Sequence, residues 1–230
     1  MLAYKHYSFD LWLTLIKSNP NFKEERTRYF FNRFNYAQKT LNDVALIFRQ
    51  VDLMCNSINE KTGKNISAEE MYLMVISTIN DHTFLRDIDL EELYSDMEKL
   101  VFKFMPVVYS PETAIVLSQL KQANGNTISI LSNTGFIKGK TLRKVLTAIN
   151  LDAFFDFQLY SDEEGMSKPN RNFFKLMFDK IIENREDQDF KLNDVIHVGD
   201  NLRADIYGAN SFGINSRLIN SNNIPILSLI

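Results

Sequence analysis

The stretch Tyr4-Lys5-His6-Tyr7-Ser8-Phe9-Asp10-Leu11-Trp12-Leu13-Thr14 opens with a short aromatic-rich run and ends that run on a carboxylate. The run reads as a buried strand. An Asp at the end of an apolar strand cannot sit in a core without a partner. The residues that follow decide what kind of sheet this strand enters. From about residue 20 to residue 105 the periodicity is helical. Tyr29, Phe30 and Phe34 mark one helix starting near Asn21. Val44, Ile47, Phe48, Val51, Met54, Cys55 and Ile58 recur at three- and four-residue steps as one apolar stripe. Ser67 with Glu70 forms a capping box ahead of Met71, Met74 and Val75, and Asp89 is placed to cap a further helix.

Beyond residue 107 strands and helices alternate. Ser110-Pro111 opens a helix that Gly125 closes, and Thr127–Leu131 reads as a buried strand. A helix carrying Leu142, Val145 and Leu146 follows, then a strand over Phe155–Tyr160 and a helix over Asn170–Ile182. The chain finishes with a strand over Asp194–Val198, a short helix over Ala204–Ser211 and a strand over Asn215–Ile219. Such alternation predicts an α/β fold, a parallel sheet covered by helices on both faces. The first strand is separated from the rest by a helical stretch too long for a loop, so an inserted helical unit is expected. The division is residues 1–16 and 108–230 for the core and 17–107 for an all-helical cap.

Composition narrows the function classes. Twenty-six basic residues against 29 acidic ones leave a net charge of −3, which excludes bulk-charge binding of nucleic acid. Cys55 is the single cysteine, and the three histidines, His6, His82 and His197, are scattered. No disulfide and no Cys/His zinc cluster is expected, and a cytoplasmic location fits. No apolar run is long enough to span a membrane, and the Leu11–Ile16 patch lacks a cleavage site, so no signal peptide is expected.

Four motifs stand at the C-terminal ends of predicted strands, the edge where open parallel sheets bind ligands. They are Phe9–Thr14, Ile130-Leu131-Ser132-Asn133-Thr134, Ser167-Lys168-Pro169-Asn170, and Val198-Gly199-Asp200-Asn201-Leu202-Arg203-Ala204-Asp205. Together, in this order, they resemble the haloacid dehalogenase-like hydrolase superfamily, from residue 4 to about residue 220. The insertion after the first motif resembles that family's C1-type helical cap. The resemblance implies a Rossmann-like sheet of order 3-2-1-4-5.

The chemistry of each residue type agrees with that order. A carboxylate can attack phosphorus and form an aspartyl-phosphate, the role of Asp10. A hydroxyl, Ser132, and an ammonium, Lys168, can hold phosphoryl oxygens, with Thr14 as a further donor. Magnesium takes hard oxygen ligands. Asp10 and Asp200 would supply carboxylates, Asp205 would support them, and the resemblance adds the backbone carbonyl of Trp12. Most family phosphatases carry a second Asp, the general acid, at the position of Trp12. Indole N–H does not release a proton at useful pH, so substrates with good leaving groups are expected.

The expected activity is therefore magnesium-dependent hydrolysis of a small phosphorylated metabolite by a monomer or homodimer, with no nucleic-acid or membrane partner. The alternatives are 2-haloacid dehalogenation, which needs no second Asp, and a binding module of weakened chemistry. Asn133 either donates to substrate or caps the next turn. Asn201 and Arg203 read as loop and helix-start residues, Cys55 as a buried small hydrophobe, and His197 as a packed core residue. Arg26, Arg28 and Arg33 read first as a solvated helix face and second as contacts for an anion.

Overall fold

The computed structural model describes residues 4–83, 88–123, 125–185 and 189–230. Its main sheet holds five parallel strands: β1 (His6–Phe9), β4 (Thr127–Ser132), β5 (Phe157–Tyr160), β6 (Val195–Gly199) and β7 (Asn215–Leu218). Their order is β5-β4-β1-β6-β7, which is the expected 3-2-1-4-5 counted within this sheet. The central strand is buried throughout. Phe9 lies opposite Ile130 on one side and Val198 on the other, so Asp10, Ser132 and Asp200 emerge together at the C-terminal edge.

Alternation along β1 sends its residues to two different layers. Tyr7 and Phe9 join Val116, Leu117 and Leu120 of α5 (Thr113–Gln122) and Leu142, Val145 and Leu146 of α6 (Gly139–Ala148). The other layer is built by Phe173, Phe174, Met177 and Ile181 of α8 (Arg171–Glu183), with Ala209 and Phe212 of α9 (Gly208–Phe212). His6 and Ser8 are polar yet fully buried, and each is satisfied. His6 meets Thr127 Oγ1 at 2.7 Å and Ser129 Oγ at 2.9 Å, and Ser8 meets His197 Nδ1 at 2.9 Å.

A small antiparallel ribbon, β2 (Ile16–Lys17) with β3 (Val107–Val108), joins the two ends of the helical insertion. Between them run α1 (Pro20–Phe34), α2 (Leu41–Thr62), α3 (Ala68–Ile79) and α4 (Leu90–Lys103). These helices bury a cluster of their own, around Phe30, Phe48, Met71, Tyr72, Val75 and Met97. The caps follow the sequence: Ser67 accepts from Glu70 N in a reciprocal capping box, and Asp89 accepts from Glu92 N.

Several local expectations are corrected. Met54 and Ile58 are exposed, because the buried stripe of α2 runs Val51, Cys55, Asn59. Asn59 takes the inward position and accepts a hydrogen bond from Ile66 N at 3.0 Å. The helix expected at Ser110 starts at Thr113, and Gly125 falls beyond its last residue, Gln122. The strand expected from Phe155 begins at Phe157, after a short 3₁₀ turn over Asp152–Phe154. The helix expected over Ala204–Ser211 is a π-helical turn, Leu202–Tyr207, running into α9. The helix α7 (Ser161–Glu164) has no counterpart in the sequence reading.

Candidate active site

At the exit of β1, Asp10 N donates to Val198 O at 2.9 Å, which ties the start of the loop to β6. The chain then turns tightly. Leu15 N and Ile16 N both donate to Leu11 O, and Leu13 N donates to Ile16 O at 2.7 Å. Leu13 sits at φ +58°, a left-handed conformation that a leucine rarely adopts. Asn220 holds it there by donating to the carbonyls of Leu13 and Thr14. The turn leaves Trp12 partly exposed and facing a cavity of about 1140 Å³ between the sheet edge and the insertion.

The floor of that cavity is a charge cluster. Lys168 is 1% exposed, and its ammonium donates to Asp10 Oδ1 and to Asp205 Oδ1, each at 2.7 Å. Thr14 Oγ1 donates to Asp10 Oδ2 at 3.4 Å. Asp205 Oδ2 accepts from Asn201 N at 2.9 Å, and His197 Nε2 lies 3.1 Å from Asp205 Oδ1. A Cβ on Gly199 would fall 2.2 Å from Asp205 Oδ2, so only glycine lets that carboxylate reach the cluster.

The electrostatics separate the three carboxyls. Burial pushes Asp10 up to about 6, with Lys168 pulling down and the Asp205 charge pushing up. Burial also opposes ionisation of Asp205, but Lys168 and His197 outweigh it and hold this carboxyl well below the usual range. Asp200 is pushed to about 7 by burial and by the charges of Asp10 and Asp205. Burial would neutralise Lys168, and its two carboxylate partners keep it protonated. Burial lowers His197, so its imidazole is neutral. Its Nε2–H then donates to Asp205 while Nδ1 accepts from Ser8.

Asp10, Asp200 and Asp205 each offer an oxygen within 4.8 Å of the others. This all-oxygen donor set fits a hard divalent cation of the magnesium class. Both Asp205 oxygens are already engaged within the protein, which suits a supporting position.

The structure thus brings Asp10, Thr14, Lys168, Asp200 and Asp205 together, with Asp10, Trp12, Asn133, Lys168, Asp200 and Asp205 lining the cavity. Ser132 is buried beneath it and donates to Asn133 O at 3.2 Å. Asn133 joins two motifs. Its Nδ2 donates to Lys168 O at 3.0 Å, and its Oδ1 accepts from Lys168 N at 2.7 Å. Asn201 begins the π-helical turn, accepting from Arg203 N and Ala204 N, as a helix-start residue does. Cys55 is buried and 3.6 Å from Met74 Sδ.

Sequence reasoning missed two residues here. His197 is buried as expected, but it also orients Asp205; its place on the same face as Ser8 was the available signal. Arg26 is not on a solvated face. It is 9% exposed and lines the cavity, whereas Arg28 and Arg33 stay on the surface against Glu24, Glu92 and Asp96.

Comparison with known proteins supports the same reading of the fold. A sequence-family profile described as haloacid dehalogenase-like hydrolase matches residues 7–219. A search of curated proteins finds no match. Among solved structures, YfnB from Bacillus subtilis, in a form bound to magnesium, is 19% identical with a TM-score of 0.68, covering 94% of this chain and 89% of its own. A HAD phosphatase from Thermococcus onnurineus is 20% identical with a TM-score of 0.66, covering 98% and 95%. A 2-haloacid dehalogenase from Pseudomonas syringae is 18% identical with a TM-score of 0.63, covering 96% and 88%. At these identities the neighbours establish the fold, and the profile match spans nearly the whole chain: it belongs to the haloacid dehalogenase-like hydrolases.

Proposed function

We propose that the protein is a magnesium-dependent phosphohydrolase of small phosphorylated metabolites, with residues 17–107 acting as a cap over the site. The observation that carries this reading is the group of three carboxylates, two of them paired with one buried ammonium. Asp10, Asp200 and the Trp12 carbonyl would hold the cation, which neutralises phosphoryl oxygens when bound. An oxygen of Asp10 attacks phosphorus. The P–O bond to the leaving group breaks as the Asp10–phosphorus bond forms, and the leaving oxygen takes its electron pair. Water then attacks phosphorus, the bond between the Asp10 oxygen and phosphorus breaks, and phosphate leaves with the water's oxygen while the water's proton passes to solvent. Lys168 aligns Asp10 and balances charge, and Thr14 donates to Asp10 from outside the cavity lining. Ser132, fully buried, would have to turn its hydroxyl away from Asn133 O to reach a phosphoryl oxygen. Asn133 holds Lys168 in place through its backbone.

Trp12 offers no proton to the leaving oxygen, so aryl and acyl phosphates should turn over faster than alkyl phosphates. The same residue is what favours the second reading, halide displacement, because halide leaves without a proton. Asp200 and Asp205 oppose that reading: they crowd negative charge where a haloacid carboxylate would have to enter.

The test is a panel of phosphate esters with magnesium and with EDTA, run beside chloride release from 2-haloacids. Magnesium-dependent phosphate release supports the proposal. Metal-independent chloride release without phosphate release replaces it with the second reading. No helix among the described residues is long and apolar enough to cross a membrane.

A further inference from the structure

The roof of the cavity carries a buried cation, Arg26. Arg26 makes no hydrogen bond and no ion pair among the described residues, and its Nε is sealed from solvent without a partner. Its guanidinium carbon lies 4.0 Å from the ring centre of Phe48, 4.7 Å from that of Phe136 and 5.5 Å from that of Phe22. Rings over the faces of a guanidinium leave its in-plane N–H groups free to donate. The acidic group whose charge it feels, Asp52, is engaged with Arg49 at 3.5 Å. Burial disfavours the charge on Arg26, yet an arginine does not deprotonate in proteins. The cage is also firmly built. Phe22 and Phe48 come from α1 and α2, while Phe136 belongs to the segment that follows β4 and is held by Tyr72, whose hydroxyl donates to Phe136 O at 2.9 Å.

We propose that Arg26 binds a second oxyanion of the substrate, a carboxylate or a phosphate, at the end of the molecule away from the reacting phosphoryl group. Arg26 lines the same cavity as Asp10 and Lys168, so a ligand of suitable length would meet both. The volume, about 1140 Å³, exceeds what a phosphoryl group needs alone. Guanidinium donors match a carboxylate or phosphate in paired fashion, and the surrounding rings lower the local dielectric and strengthen the attraction. The assignment of which end faces down rests on the phosphohydrolase reading, whereas the anion site at Arg26 does not.

The test is calorimetric titration of the protein, with magnesium, using propylphosphonate, phosphonopropionate and its longer homologues, and alkylene bisphosphonates of matching length. The best two-headed probe should bind about tenfold tighter than propylphosphonate, and Arg26→Met should bring the two within about threefold. Arg26→Lys should keep part of the gain, and it carries the comparison should Arg26→Met not fold. The carboxylate and bisphosphonate arms distinguish the two sources of the oxyanion. No gain at any length, or a gain that Arg26→Met retains, overturns the proposal. Should propylphosphonate itself not bind, the phosphoryl reading of the floor fails, and glutarate becomes the probe. Glutarate binding that Arg26→Met abolishes then supports the anion site, and absence of binding to the wild type overturns it.

Discussion

The floor and the roof of the cavity each bury one cation, and they treat it in opposite ways. Lys168 below is flanked by two carboxylates at 2.7 Å, and one of these is backed in turn by His197 and Asn201. Arg26 above meets three aromatic rings and no counter-ion among the described residues. A charge removed from water must be compensated by the chain or by something that binds. The floor has its compensation built in and is organised before any ligand arrives. The roof is completed by a ligand. On the function proposed above, that difference separates a part of the site that does chemistry from a part that selects.

The largest effect expected is at the floor. Asp10→Asn keeps a hydrogen-bond acceptor for Lys168 but removes the attacking oxygen, so phosphate-ester turnover should fall by at least about 10⁴-fold with the thermal melt retained. Turnover that survives in this variant would falsify the nucleophile assignment. Next comes Lys168→Met, which leaves Asp10 and Asp205 buried and uncompensated. Breaking a buried pair in this way should cost about 3–5 kcal/mol in urea denaturation. The same change at the roof, Arg26→Met, removes a charge that had no partner and should cost less than about 1 kcal/mol. Equal losses at the two positions would erase the distinction between floor and roof.

The floor was legible in the sequence because charged and polar residues at the ends of apolar strands break the pattern around them. Asp10 after Phe9 and Asp200 after Gly199 each stand out in this way, and the parallel order brings them to one edge. Lys168, expected at a strand end, instead follows α7, eight residues beyond Tyr160. Arg26 was illegible because α1 carries charges around its whole circumference, at Lys23, Glu24, Glu25, Arg28 and Arg33. What distinguishes Arg26 is supplied by Phe48 and Phe136, residues remote in the chain. The β2–β3 ribbon is only two residues deep on each strand, too short for any periodicity to register. On α2 the apolar letters Met54 and Ile58 suggested a wider buried stripe than the helix has, and a polar residue, Asn59, took the inward place.

Between floor and roof lies Trp12, and a smaller effect is expected there. Trp12→Asp restores a carboxyl where the leaving oxygen departs. Turnover of alkyl phosphates relative to aryl phosphates should rise by about 10–100-fold, less than a fully positioned general acid supplies. An unchanged ratio in kcat/KM would show that protonation of the leaving group is not what limits this site.

The smallest effect concerns how pH and metal act on the floor, and its sign follows from the three carboxyls. Asp10 and Asp200 titrate in the folded protein near 6 and 7, above the ordinary carboxylate value of 3.8. A group raised in this way contributes stability that is present below about pH 4 and is lost as pH rises through its folded value. Asp205 is shifted the other way, so its contribution is present above about pH 4 and is lost only in stronger acid. The window from about pH 4 to pH 7 therefore belongs to Asp10 and Asp200, and the metal-free protein should lose melting temperature across it. At about pH 8 three carboxylates face one ammonium, and a divalent cation relieves the excess; at about pH 5 the same cation must first displace protons. Magnesium should accordingly raise the melting temperature more at the higher pH, as read by scanning fluorimetry with and without the salt. Asp200→Asn should flatten the difference. Equal shifts at both pH values would mean that these carboxyls do not bind the cation.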